Sequence, residues 1–223
     1  AVSITGRIIV YILFSVIIQK LFKLFKISAI FTIPLLFIIM EYISIIAGEW
    51  MIKYLETKPF AYIFALLGLY YFSTRQYAAA FFFNGLSLSF HILVGFYSAA
   101  CLFFVFIFNI SYYREDILRM IKSFPLYLVS GAIGLIAIMK VLLTNVDVNK
   151  KLAGEIYVLK RVPHHTLFTT WDGYTWIIHV IIFVIALALF IRYGSRKYRI
   201  YATFALSSFI FWVAGFMITL TGK

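Results

Sequence analysis

The chain has 223 residues, of which 64% are hydrophobic and 13% charged, against roughly half and a quarter in an average soluble domain. A core of this size cannot hide apolar side chains at that density, which excludes water as the main solvent and makes lipid the expected cover. The formal net charge of +12 sits in short Lys and Arg clusters between apolar runs, a pattern that suits lipid headgroups and points away from nucleic acid.

Apolar runs fall at roughly 4–19, 27–47, 59–74, 77–111, 124–143, 175–192 and 200–220. The first is followed by Lys20, Lys23 and Lys26 with no small-residue cleavage pattern, so it reads as a span and not as a cleavable signal. The run Tyr77–Ser111 is too long for one crossing. As a single helix it would extend about 52 Å against a hydrocarbon core of about 30 Å. Its polar cluster Asn84, Gly85, Ser87, Ser89, His91 and Gly95 marks the place for a turn, with His91 near the apex.

Splitting that run gives about eight spans and gathers the charge. Lys20 to Lys26, Arg75, Arg114 to Lys122 and Arg192 to Arg199 then fall on one face, which the positive-inside rule assigns to the cytoplasm, and both ends of the chain lie outside. The expected fold is all-α: a polytopic helix bundle forming a single transmembrane domain over 1–223, with a short helical hairpin and outer loops at about 48–58 and 144–175. Helices over 59–74 and 77–90 are short for a full crossing, and a short pair meeting at His91 suggests a cavity open to the outer face.

The first outer loop, GEWMIKYLETK, spaces Trp50, Met51, Tyr54 and Leu55 as on an amphipathic helix lying in the interface, with Glu49, Lys53, Glu56 and Lys58 between them. The second is longer and carries LKRVPHHTLFTTWDGYTW. Lys160 and Arg161 supply positive charge, His164 and His165 two titratable imidazoles, and Trp171 and Asp172 follow closely. That grouping suits a phosphate-bearing ligand at the membrane surface, since Arg and Lys pair phosphate oxygens and His can donate a proton. It equally suits lipid phosphates met by an ordinary interfacial loop.

All four histidines, His91, His164, His165 and His179, fall on the outer side of this arrangement. A divalent metal or a bis-histidine haem is the cofactor such a set would hold, although no HxxxH or HExxH spacing is present. Glu41 and Lys140 lie inside apolar runs, where a charge facing lipid at mid-depth costs ~3 kcal/mol, so they should face protein or water or snorkel. The one cysteine, Cys101, excludes an internal disulfide and reads as packing.

Three stretches, KPFAYIFALLGLYY, YAAAFFFNGLSLSFHILVGFYSA and RVPHHTLFTTW, resemble segments of polytopic prokaryotic membrane proteins of GT-C glycosyltransferase-like architecture, many of them uncharacterised. The resemblance covers about residues 55–175. It implies many helices with short re-entrant outer elements and an extracytoplasmic site that takes a sugar from a polyprenyl-phosphate carrier. It also implies a catalytic acid in the first outer loop, where AVSITGR has none. That leaves three alternatives: an acid ahead of Ala1, Glu49 and Glu56 in its place, or the architecture without the chemistry.

Three functions are therefore expected to compete. One is a transferase in which His91, Lys160, Arg161, His164, His165 and Trp171 contact a lipid-linked phosphate-sugar while Glu49, Glu56 or Asp172 acts as acid or base. Another is a noncatalytic subunit or scaffold whose Gly131, Ala132, Gly134 and Ala137 face other membrane subunits. The third is a metal, haem or transport protein that uses the histidines.

Overall fold

The computed structural model describes residues 2–34, 56–143, 175–193 and 199–221, with single positions at 152, 156 and 160. All regular structure among them is helical: α1 (Val2–Phe25), α2 (Thr57–Ser73), α3 (Tyr77–Phe90), α4 (Ile92–Phe108), α5 (Ile117–Ser130), α6 (Ala132–Leu143), α7 (Thr175–Tyr193) and α8 (Arg199–Thr221), with short turns at Ala29–Phe31 and Ile110–Asp116. Contacts divide the chain into two compact units, Ala1–Glu41 with Met51–Thr144, and Tyr42–Trp50 with Asn145–Lys223.

The expected hairpin is present. The Tyr77–Ser111 run breaks at His91, whose extended backbone (φ −154°, ψ 109°) separates α3 from α4. A straight helix would hold residues 84 and 98 about 21 Å apart. Instead Ser98 donates from Oγ to Asn84 Oδ1 at 2.8 Å, so α4 folds back along α3. At the apex the His91 ring accepts from the Val94 N–H, capping α4.

α3 is the hub of the first unit. α2 runs antiparallel to it, with Ser87 Oγ donating to the Ala61 carbonyl at 2.9 Å. α5 runs parallel to it, with Tyr77 meeting Asp116, Phe81 meeting Phe124, and Ser89 Oγ donating to the Ser130 carbonyl at 2.7 Å. Small residues permit these approaches: Gly68 lies on Asn84, Gly85 on Ser130 and Tyr127, and Gly95 and Gly134 on the Leu88 backbone. Most of the polar cluster that marks the turn in the sequence thus holds helices together, and His91 alone makes the turn. The buried Ser87 and Ser98 hydroxyls and the Asn84 amide bond to carbonyls and to each other, as polar groups removed from solvent do.

α1 packs parallel to α2. Val10 and Phe14 share a buried cluster with Ile63, and Lys20 Nζ lies 5.4 Å from the Tyr70 ring centroid. Cys101 is buried in α4, as a packing residue should be. In the second unit Phe183 of α7 meets Phe209 of α8 at 5.5 Å.

Three expectations change in detail. Thr57 and Lys58 form the first turn of α2 and not the tail of an interfacial helix, while 48–55 lie outside the described residues. The run 124–143 is not one helix: α5 begins at Ile117, and the path breaks at Gly131, which packs beside Gly85. The small face of Gly131 and Gly134 is covered by α3 of the same chain, so these two glycines are not offered to other subunits.

Among the described residues Ile4–Phe25 is long and apolar enough to cross a membrane alone. Ile92–Phe108 and Ile110–Ser130 qualify together, bent by 89° at Asn109. α3 and α6 are apolar but shorter, and 14 residues of α3 reach only about 21 Å.

Candidate functional site

The antiparallel course of α2 and α3 brings the start of one to the end of the other, so that Glu56, Lys58 and His91 gather at one end of the first unit. Glu56 is exposed at the N-terminal boundary of α2, Lys58 is half-buried in its first turn, and Phe60 and Phe90 pack at 5.7 Å just beneath. His91 feels both charges. Burial first and Lys58 second hold its imidazole below the ordinary histidine value, with Glu56 pulling the other way.

Because His91 Nδ1 accepts from the Val94 N–H at 3.4 Å, its neutral form carries the proton on Nε2. A cavity of about 340 Å³ opens beside it, lined by Ser89, His91, Ile133, Gly134 and Ala137 among others. The end therefore offers a carboxylate, an ammonium and an imidazole N–H donor, the groups needed to take a proton, meet a phosphate and hydrogen-bond its oxygens.

The imidazole of His91 should titrate with a midpoint below 6.5, as read by NMR of histidine-labelled protein. Glu56→Gln should lower that midpoint further and Lys58→Gln should raise it. The depressed folded value means that the unfolded chain binds the proton first, so stability from this group is present above pH 6.5 and is lost as pH falls below it.

The opposite end of the same unit is basic. Asp116 is 3% exposed and accepts from Tyr77 Oη at 2.9 Å, while Arg75 lies 3.3 Å and Arg119 3.2 Å from its carboxylate. Arg75 also donates to the Tyr112 carbonyl at 3.1 Å and stacks over the Tyr112 ring at 4.2 Å. Its φ of 60° is left-handed, an uncommon conformation for a side-chain-bearing residue, and these contacts hold it there. Lys20 reaches Tyr70, little more than a turn before Arg75, so three of the four basic clusters share this end.

No protein-family model, curated protein or solved structure matches this chain.

Of the expected site residues, the fold thus joins Glu56 to His91. Lys160 is exposed in the second unit, and Lys140 is exposed in the last turn of α6. Glu41, Glu49, Arg161, His164, His165, Trp171 and Asp172 lie outside the described residues, and His179 falls on α7. Among the described residues no three His, Cys, Asp or Glu side chains gather as a metal set. Two residues of consequence escape a reading of the sequence. Lys58 looks like the edge of an amphipathic stretch, and Asp116 is only one acid among many bases.

Proposed function

We propose that this chain is a multi-pass integral membrane protein of about eight spans, GT-C-like in architecture, with both ends extracytoplasmic. We further propose that it transfers a sugar from a lipid-linked phosphate at the extracytoplasmic face. Glu56 is the candidate base, and His91 with Lys58 is the candidate phosphate contact. Lys160, Arg161, His164, His165 and Trp171 are further candidate substrate contacts in this reading, and Glu49 and Asp172 further candidate acids.

The convergence of Glu56, Lys58 and His91 at the end opposite the Arg75–Asp116–Arg119 network carries the reading. Two further facts support the membrane part. Large apolar side chains are exposed along whole helices, among them Ile4, Ile8 and Ile12 on α1 and Ile133, Ile136 and Val141 on α6, more than a water-facing surface tolerates. In addition α1 is parallel to α2, α2 antiparallel to α3, and α4 folds back along α3, as successive crossings require, while the path turns by 89° between α4 and α5.

Single-cysteine labelling tests the topology, with Cys101 replaced by Ser. Reagent on one side of the membrane should modify Arg75→Cys and Arg114→Cys, and reagent on the other side Glu56→Cys and His91→Cys. Labelling of 75 and 114 from opposite sides would overturn it. For the chemistry, reconstituted protein given a polyprenyl-phosphate sugar and a hydroxyl-bearing acceptor should form the glycoside and release polyprenyl phosphate, the acceptor proton passing to Glu56. Glu56→Gln should slow transfer about 100-fold, the low end of what a general base contributes. Transfer unaffected by Glu56→Gln removes Glu56 from the reaction, and no transfer by the unaltered chain removes the transferase reading.

A further inference from the structure

α4 and the segment Ile110–Ser130 that carries α5 diverge by 89°, and a cleft of about 470 Å³ opens between α4 and α5 with α3 as its floor. Phe72, Phe81, Leu102, Phe106, Ile117 and Met120 line it. Its volume is that of a small-molecule site, but it lacks the convergent polar groups that fix a water-soluble ligand. Asn84, the one amide in the lining, is already committed: Nδ2 donates to the Ala80 carbonyl at 3.0 Å and Oδ1 accepts from Ser98 at 2.8 Å. What fits such a wall is hydrocarbon. The rim is apolar too, with Phe103 at 58% and Ile121 at 62% exposure, so the mouth suits entry from the side.

One end of the cleft is charged. Phe72 and Phe106 both pack on Tyr113, at 5.0 and 6.4 Å, and Ile117 follows directly on Asp116. The cleft therefore begins beside the Arg75–Asp116–Arg119 network and runs about 15 Å along α5 from Ile117 to Tyr127. Two guanidiniums against one buried carboxylate leave the network net positive, and the Arg119 side chain is 74% exposed, with one N–H donor committed to Asp116.

From this charge complementarity we infer that the cleft between α4 and α5 holds a hydrocarbon chain of an anionic membrane phospholipid, with its phosphate against Arg119 and Arg75. Basic pockets between helices recognise such headgroups when apolar walls accept the chain beside them. The site lies at the end of the unit away from Glu56 and His91, so its occupant is a resident lipid and not the proposed sugar donor. The inference rests on the membrane reading above and is independent of the transferase reading.

Native mass spectrometry of the full chain in detergent, with phosphatidylglycerol, phosphatidylcholine or inorganic phosphate added, tests it. Phosphatidylglycerol should be retained about tenfold more than phosphatidylcholine, and inorganic phosphate should not be retained. Arg119→Gln, a surface change, should cut that preference about fivefold, the equivalent of about 1 kcal/mol for one basic residue at a lipid headgroup. Ala99 of α4 also lines the cleft, and Ala99→Phe should fill it and remove retention of both lipids.

Equal retention of the two lipids overturns the inference, as does a preference untouched by Arg119→Gln. Retention of inorganic phosphate as strong as that of lipid makes the arginines a simple anion site and also overturns it, as does a lipid-free dimer, which would make a second copy the occupant. Recovery of the chain from the soluble fraction without detergent would instead strike the membrane reading, a separate result.

Discussion

Gly95→Ala should destabilise the α3–α4 hairpin by about 3 kcal/mol, the upper part of the range for overpacking a close-fitted contact. A Cβ at Gly95 would land on the backbone N and Cα of Leu88, and backbone in the last turn of α3, packed between α4 and α6, has little room to retreat. Since Leu88 also carries Gly134 against its carbonyl, a shift of α3 away from α4 presses it onto α6. Gly68→Ala makes the useful contrast. There the new methyl meets the Asn84 side chain, which can rotate away at the loss of its buried bonds to Ser98 and Ala80, so a smaller cost of about 2 kcal/mol is expected. Unfolding of the detergent-solubilised variants, followed by circular dichroism, ranks the two, and an equal cost would mean that the hairpin is not clamped at Leu88.

Asp116→Ala should cost about 2–3 kcal/mol and open the α2–α3 connection. The buried Tyr77 hydroxyl would lose its charged acceptor, a bond of the stronger kind, while Arg75 and Arg119 turn to water at little cost because both are already partly exposed. Arg75 would then keep its left-handed backbone with only the Tyr112 contacts to hold it. Trypsin cleavage at Arg75 should rise in the Asp116→Ala variant and stay near its original rate in Asp116→Asn, which leaves Tyr77 an oxygen acceptor. Cleavage unchanged in both would mean that the network does not restrain the turn. High salt should weaken the arginine contacts and leave the buried Tyr77–Asp116 bond nearly as strong.

The amino-acid sequence by itself determined that the described chain is helical and that Tyr77–Ser111 breaks at His91. A 35-residue apolar run exceeds one membrane thickness, and length and hydropathy are properties a single dimension carries. Once that run folds back, Arg75 comes to the same end of the first unit as Arg114–Arg119, and the ion pair with Asp116 has them there. Tertiary structure decided the rest. Small residues at Gly85, Gly95, Gly131 and Gly134 permit close approach without naming the partner, so it took the packed helices to make Leu88 the common contact and to interrupt the 124–143 run at Gly131. The meeting of Glu56 with His91, thirty-five positions apart, likewise depends on where α2 crosses α3, because a side chain's neighbours across a helix pair are set by the depth and register of packing and leave no periodicity in the sequence.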